Sequence, residues 1–170
     1  LFCGVPKVLE MSATLKLKTF GLQGVRKELV DYRAWRRIFP ANRHPIYLTG
    51  ARKASGAAVR VDRKTSSEDL ELLVNWLDDE VLKPRLDRKG IIQCVSYARA
   101  QWLMENSRYA EFMIGNTADP DSDTAQEVAE QFRKASPPCY LVSPSFSTGW
   151  DFPDSQCEFI VLIKVPFESA

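Results

Sequence analysis

Six short apolar runs recur along the chain, and each is continuous rather than alternating with polar residues. They cover residues 8–9, 46–48, 91–95, 112–114, 139–142 and 159–165. Continuous runs are typical of strands that are buried on both faces of a parallel sheet. The pattern therefore predicts strands at these positions, most of them in one parallel sheet.

Helical spacing fills the gaps between the later runs. One set of apolar residues repeats every three or four positions: Leu70, Leu73, Val74, Leu77 and Val81. A second set does the same: Ala125, Val128, Ala129 and Phe132. Thr65 with Glu68, and Thr124 with Glu127, predict a capping box at the start of each helix. A shorter helix is predicted over residues 97–106.

Strands that alternate with helices predict an α/β domain with parallel strands and right-handed crossovers. The length of 170 residues fits a single domain. Residues 50–64 interrupt the alternation, because they are rich in Ala, Gly, Arg and Lys and lack large apolar residues. This composition predicts an exposed basic loop.

Charge is distributed unevenly along the chain. Residues 1–64 hold 14 Lys and Arg against four Asp and Glu, a net charge of +10, whereas residues 65–170 have a net charge of −9. Two solvated faces of opposite sign would explain this asymmetry, and the charges alone favour that explanation slightly. The other explanation is a basic surface that faces nucleic-acid phosphates, with Arg36, Arg37 and Lys53 as candidate contacts.

Cysteine usage and hydropathy bear on location and on metal binding. The cysteines are Cys3, Cys94, Cys139 and Cys157. They form no Cys-x-x-Cys pair and two lie in apolar runs, which predicts buried, reduced thiols in a cytoplasmic protein. No apolar stretch reaches the roughly 20 residues of a membrane span. Asp119, Asp121 and Asp123 lack the Gly and Glu of a calcium-binding loop, so no metal site is predicted.

Three segments at predicted strand ends carry small polar residues. The first is Met11-Ser12-Ala13-Thr14-Leu15, the second is the run that ends in Ser96-Tyr97, and the third spans residues 145–153. Parallel sheets bind their ligands at the carboxyl ends of strands, so these segments are the candidates for chemistry.

The third segment has the most specific chemistry. Gly149 would let a phosphate or sugar approach the backbone, and Asp151 could accept a hydrogen bond from a ribose hydroxyl or an arginine. Ser145 and Thr148 could donate hydrogen bonds to nucleic-acid phosphates. The structural alternative makes Gly149 a turn glycine and Asp151 a helix cap, with the aromatic residues on either side of Asp151 in the core.

Together these segments resemble the DinG/XPD-type branch of the superfamily 2 DNA helicases. Residues 11–15 resemble motif III, residues 91–97 resemble motif IV with its Ser-Tyr turn, and residues 145–153 resemble motif V with its Gly-x-Asp-Phe-Pro core. The chain departs from the family at Ser147-Thr148, where Trp-Glu is usual, and at Asp154, where Gly is usual.

The resemblance implies a three-layer RecA-like α/β fold and the role of a second motor domain, with residues 1–19 as the motif III segment and connector. The residues implied at the cleft for ATP and Mg²⁺, shared with the first RecA-like domain of the same protein, are Ser12, Ala13, Thr14, Gly149 and Asp151. The residues implied to face single-stranded DNA are Ser96, Tyr97, Ser145 and Thr148. The charge distribution, and not the resemblance, adds Arg36, Arg37 and Lys53 as basic contacts.

The resemblance also implies that the chain is part of a longer protein. A G-x-x-x-x-G-K-[ST] phosphate loop and an acidic magnesium motif would precede it, and the arginine-bearing motif VI would follow residue 170. No complete active site is visible, so the chain by itself is expected to hydrolyse no ATP. The alternative is a non-catalytic α/β module that binds nucleic acid or protein through its basic half.

Overall fold

The computed structural model describes residues 7–9, 16–34, 45–62, 64–119, 122–146 and 149–164. The chain divides into two compact units, Leu1–Tyr47 and Leu48–Ala170. In the first unit, the described residues form a short helix, α1 (Leu17–Leu22), and a 3-10 turn at Lys27–Leu29.

The second unit alternates helices and strands as the sequence predicts. Its elements are α2 (Ser67–Trp76), β1 (Lys89–Gln93), α3 (Tyr97–Asn106), β2 (Met113–Ile114), α4 (Ala125–Lys134), β3 (Cys139–Ser143) and β4 (Phe159–Leu162). The four strands form one sheet in the order β2-β3-β1-β4, and every pair is parallel. The predicted parallel sheet is therefore confirmed.

The sheet lies between two layers of helices. The side chains of Ile92, Tyr140 and Val142 pack with α2 and α3, whereas those of Ile91 and Leu141 pack with α4. Successive strand residues point to opposite faces, so a continuous apolar run supplies both interfaces. The expected three-layer α/β arrangement is confirmed.

Two of the predicted strands are wrong. The described residues 7–9 and 45–50 form no strand, and Leu9, Ile46 and Leu48 are all more than four-fifths exposed. An apolar run of two or three residues becomes a strand only when a neighbouring strand offers it backbone partners, and the run itself carries no information about that neighbour.

The helix starts agree with the sequence in one case and differ in the other. Thr124 and Glu127 form the predicted box, because each side chain accepts a hydrogen bond from the backbone N–H of the other residue. Helix α2 is capped by Ser66 instead of Thr65, with Ser66 Oγ accepting from the backbone of Asp69 at 3.2 Å. The Thr65 hydroxyl already accepts a hydrogen bond from Asp62 N in the preceding turn.

Within the predicted loop, residues 50–62 form a short hairpin in which Arg52 pairs antiparallel with Ala58. Most of its described side chains are exposed, as expected for a basic loop. Ala51 and Val61 are nevertheless buried, and they pack on Leu73 of α2. Two small apolar residues thus attach an otherwise polar hairpin to the second unit.

A buried carboxylate joins the ends of α2 and α3. Helix α2 continues through a π-helical turn at Leu77–Leu82, and this turn contains Asp78, which is 1% exposed. Asp78 accepts hydrogen bonds from Ser107 Oγ at 2.6 Å and from Arg108 N at 2.9 Å. A buried charge is tolerated only when it is hydrogen-bonded in this way.

A buried ammonium group holds α4 against the sheet. Lys89, the first residue of β1, is 4% exposed and donates to the carbonyl oxygens of Phe132, Arg133 and Ala135. These carbonyls belong to the last turn of α4 and its cap, where no further helical N–H groups are available to bind them. The positive charge is also favourable at the negative end of the helix dipole.

Replacing Lys89 with Met should lower the free energy of unfolding by about 2 kcal/mol, because three carbonyl oxygens lose a charged donor inside the protein. Urea denaturation followed by circular dichroism measures the change. The matched control is Lys83→Met, which removes the same charge from an exposed residue and should leave stability within about 0.5 kcal/mol of the wild type. Equal stability of the two variants would contradict the role assigned to Lys89.

Candidate functional site

The carboxyl ends of β1 and β3 are neighbours, and the chain leaves them in opposite directions. After β1 it passes β3 to reach β2, and after β3 it passes β1 to reach β4. The two connections therefore cross, each passing the other's strand. In a parallel sheet, ligands commonly bind at the carboxyl ends of the strands, and we call the surface where these two loops meet the crevice. The loop after β1 carries Ser96 and Tyr97, and the loop after β3 carries Ser145.

Tyr97 and Ser145 contact each other at this crevice. The Tyr97 hydroxyl and Ser145 Oγ are 2.6 Å apart in a hydrogen bond, and either group can be the donor. Both residues are partly buried. Tyr97 and Ser145 are 48 residues apart in the sequence, and they belong to two segments that the sequence predicts to share one surface. The hydrogen bond shows that these two segments meet.

Two buried polar residues that the sequence did not point to extend this contact. Ser143 Oγ accepts a hydrogen bond from Ser145 N at 3.1 Å and donates one to Asn116 Oδ1 at 2.7 Å. Asn116 follows β2, so the network joins the carboxyl ends of three strands. Gly115 makes this approach possible, because a Cβ atom there would collide with the carbonyl oxygen of Val142. The available signal was a Gly-Asn pair directly after an apolar run.

Ser96 caps helix α3. Its Oγ accepts a hydrogen bond from Arg99 N at 3.3 Å, which satisfies one of the free N–H groups of the first turn. The residue is exposed at the carboxyl edge of the sheet, and its hydroxyl proton has no acceptor among the described residues. Ser96 thus has a local structural role and a donor that faces solvent.

The loop after β3 is held on α4 by aromatic packing. The rings of Phe146 and Trp150 lie 4.7 Å apart, and the ring of Phe152 meets Phe132 edge to face at 5.2 Å. The guanidinium group of Arg133 lies 5.2 Å from the centre of the Phe152 ring. The aromatic residues on either side of Asp151 therefore belong to the core that α4 forms with the sheet, as the structural alternative holds.

Gly149 and Asp151 stand on the exposed side of that loop. Gly149 has φ +81°, a conformation that only glycine adopts without strain, and no heavy atom lies within 4 Å of the place where a Cβ would stand. Asp151 is exposed, and its carbonyl oxygen accepts from Arg133 at 3.4 Å. The next helical turn is capped by Pro153, so Asp151 is not a helix cap. Its carboxylate is left to face solvent.

Lys53 is already engaged by an acidic partner. Its Nζ lies 2.7 Å from Oδ2 of Asp69 in the first turn of α2, and the side chain of Asp69 is only 15% exposed. An ion pair at this distance neutralises much of the charge that a phosphate would require. Lys53 consequently anchors the hairpin to α2.

The remaining candidate residues lie outside the described part of the chain. These are Ser12, Ala13, Thr14, Arg36, Arg37 and Thr148. Their predicted contacts with nucleotide and nucleic acid stay predictions.

The three described cysteines are free thiols in apolar surroundings. Cys94 and Cys139 are buried, as predicted, and Cys157 is partly buried. Burial raises the pKa of Cys94 to about 12, which makes its thiolate scarce at neutral pH. In the described ranges, no three His, Cys, Asp or Glu side chains are grouped as metal ligands would be, and no helix is long and apolar enough to cross a membrane.

Asp154, directly after Pro153, has an unusual backbone conformation. Asp154 has φ +52°, and it is the one non-glycine residue with a positive φ among those the structure describes. This conformation costs most residues about 1–2 kcal/mol, although Asp tolerates it better than the average. A glycine at this position would adopt it without strain.

Asp154→Gly should therefore raise the free energy of unfolding, by up to about 1 kcal/mol. Thermal unfolding compared with the wild type measures the gain. Ser155→Gly is the matched control, because Ser155 is an exposed neighbour without a positive φ, and its replacement should lower stability slightly. A loss of stability in Asp154→Gly would show that the aspartate side chain contributes more than the backbone strain costs.

Comparison of the chain with protein-family models, curated proteins and solved structures found no match. The structural feature that bears on function is the carboxyl edge of the sheet. Tyr97 and Ser145 are in contact there, and Asp151 is exposed on the same loop as Ser145.

Proposed function

We propose that this chain is the second RecA-like motor domain of an ATP-dependent superfamily 2 DNA helicase of the DinG/XPD type. The observation that carries the proposal is the hydrogen bond between Tyr97 and Ser145. Each residue lies in a segment that resembles a helicase motif, and each follows the carboxyl end of a strand, where a parallel sheet presents its ligand-binding loops. Free, buried thiols suit a protein that acts in the cytoplasm.

Single-stranded DNA is the proposed partner at the crevice. Tyr97 offers a ring on which a base can stack, and Ser96 offers a hydroxyl donor for a phosphate at the start of α3. Neither contact reads sequence, as a motor that moves along DNA requires. The network from Asn116 to Ser145 fixes the position of the loop that would meet the strand.

Gly149 and Asp151 are the proposed contacts with nucleotide, in a cleft shared with the first motor domain. Their surroundings fit this role, because the backbone at Gly149 is open to approach and the carboxylate of Asp151 is exposed. ATP hydrolysis would supply the free energy for closing and opening the cleft. Asp151 and Ser145 share one loop, which would couple the nucleotide side of the domain to the DNA side.

The 170-residue chain alone is expected to show no ATPase activity, because the phosphate loop and the arginine-bearing motif belong to other parts of the protein. A coupled assay for released phosphate, with and without single-stranded DNA, measures this. Turnover that disappears in Asp151→Ala would overturn the expectation and place a complete active site in this chain.

Tyr97→Phe and Ser145→Ala should each weaken binding of single-stranded oligo(dT) about threefold to tenfold. Each removes the hydrogen bond that holds the two loops together in the free protein, so ordering the loops on binding would cost about 1 kcal/mol. The double variant should bind no more weakly than either single variant, because both changes remove the same interaction. Fluorescence anisotropy measures the affinities, and Tyr47→Phe at an exposed tyrosine is the control.

Two results would contradict the proposal. Wild-type affinity in both single variants would remove the crevice from the DNA path. DNA binding by the full-length protein without any DNA-stimulated ATPase activity would favour the non-catalytic α/β binding module instead.

A further inference from the structure

The hairpin at residues 50–62 and the start of α2 line an open cleft of about 220 Å³. Its lining residues are Lys53, Ala58, Arg60, Asp62, Lys64, Thr65 and Asp69. Three of these side chains are basic and two are acidic. The chemistry of the cleft therefore depends on which charges are already paired.

Both acidic side chains are engaged within the protein. Asp69 binds the ammonium group of Lys53 at 2.7 Å, and Asp62 Oδ1 accepts a hydrogen bond from the backbone of Lys64 at 2.6 Å. Arg60 and the side chain of Lys64 form no ion pair with any described residue. The two cations that remain available in the cleft are thus those of Arg60 and Lys64.

Hydrogen bonds hold the backbone on both sides of the cleft. The hairpin is closed by hydrogen bonds from Lys53 N to Ala57 O and from Val59 N to Ala51 O, at 2.8 and 2.9 Å. Thr65 Oγ1 accepts from Asp62 N at 2.7 Å and fixes the turn before α2. Two cationic side chains on a fixed backbone lose less conformational entropy on binding an anion than two on a mobile loop would.

The hairpin lies at the same edge of the sheet as the Tyr97–Ser145 crevice. Its residue Val61 shares an apolar pocket with Cys94 and Ile163, which follow the carboxyl ends of β1 and β4. Arg99 in the first turn of α3 donates to the carbonyl oxygen of Asp62 at 3.2 Å. The cleft and the crevice therefore flank the amino-terminal turn of α3.

We propose that the hairpin cleft binds the phosphate groups of a single-stranded nucleic acid through Arg60 and Lys64. Guanidinium and ammonium groups are the donors that bind phosphate most strongly, and the nearby crevice would take the bases of the same strand. This inference rests on the proposed function, since it extends the path of the strand beyond Tyr97. It also replaces Lys53 as the predicted basic contact, because Lys53 is paired with Asp69, whereas Arg60 and Lys64 form no ion pair with a described residue.

The test compares the salt dependence of oligo(dT) binding in the 170-residue chain. Arg60→Gln with Lys64→Gln should weaken binding and reduce the slope of log affinity against log salt by about 1.4, since each phosphate contact of a single strand contributes about 0.7. The matched control is Lys83→Gln with Lys134→Gln, which removes two exposed charges near the opposite edge of the sheet. An unchanged slope in the cleft variant, or an equal loss in the control, would overturn the proposal.

An abasic oligonucleotide and inorganic tripolyphosphate distinguish the sources of phosphate. The same loss of slope with the abasic strand supports recognition of the backbone, whereas a loss confined to strands with bases overturns it. If tripolyphosphate binds through Arg60 and Lys64 but no strand binds, the nucleic-acid partner is rejected. If the cleft variant loses slope while Tyr97→Phe and Ser145→Ala bind normally, the cleft stands and the proposed crevice fails.

Discussion

Strand β1 is hydrogen-bonded to a neighbour on each side and covered by helices on both faces, so the other elements of the sheet are positioned by it. Lys89 at its start closes the last turn of α4. The next residue is Gly90, and the ring of Phe159 of β4 lies against it. A Cβ atom on residue 90 would overlap that ring. A strand so enclosed has one register available, because any shift would place an ammonium group or a side chain where neither fits.

This central position of β1 also decides where chemistry is available. Since β3 is its parallel neighbour, the loops that follow the two strands meet at the same edge of the sheet. Buried hydrogen bonds from Asn116 through Ser143 hold the second loop, and the Tyr97 hydroxyl joins it to the first. The two loops are thus held together by polar side chains, each of which has a hydrogen-bond partner within the protein.

The loop after β3 combines a buried side with an exposed one. Trp150 and Phe152 pack on α4, and because they are fixed there, Gly149 and Asp151 remain on the surface. The two interpretations of this segment, structural and functional, are therefore compatible. Aromatic packing of its neighbours keeps the carboxylate of Asp151 at the surface. In the same way, the packing of Ala51 and Val61 on Leu73 holds the hairpin cleft at the surface.

The sequence determined the α/β class, the Thr124 cap and the presence of strands β1 and β3, although β1 begins and ends two residues earlier than the predicted run 91–95. Apolar periodicity and capping are local properties, so the sequence carries them. It also placed Tyr97 and Ser145 at strand ends. Tertiary structure alone decided that these two meet, that Lys53 is paired with Asp69, and that the run at 46–48 is no strand. Each of these outcomes depends on a partner distant in the sequence, and local spacing carries no information about such a partner.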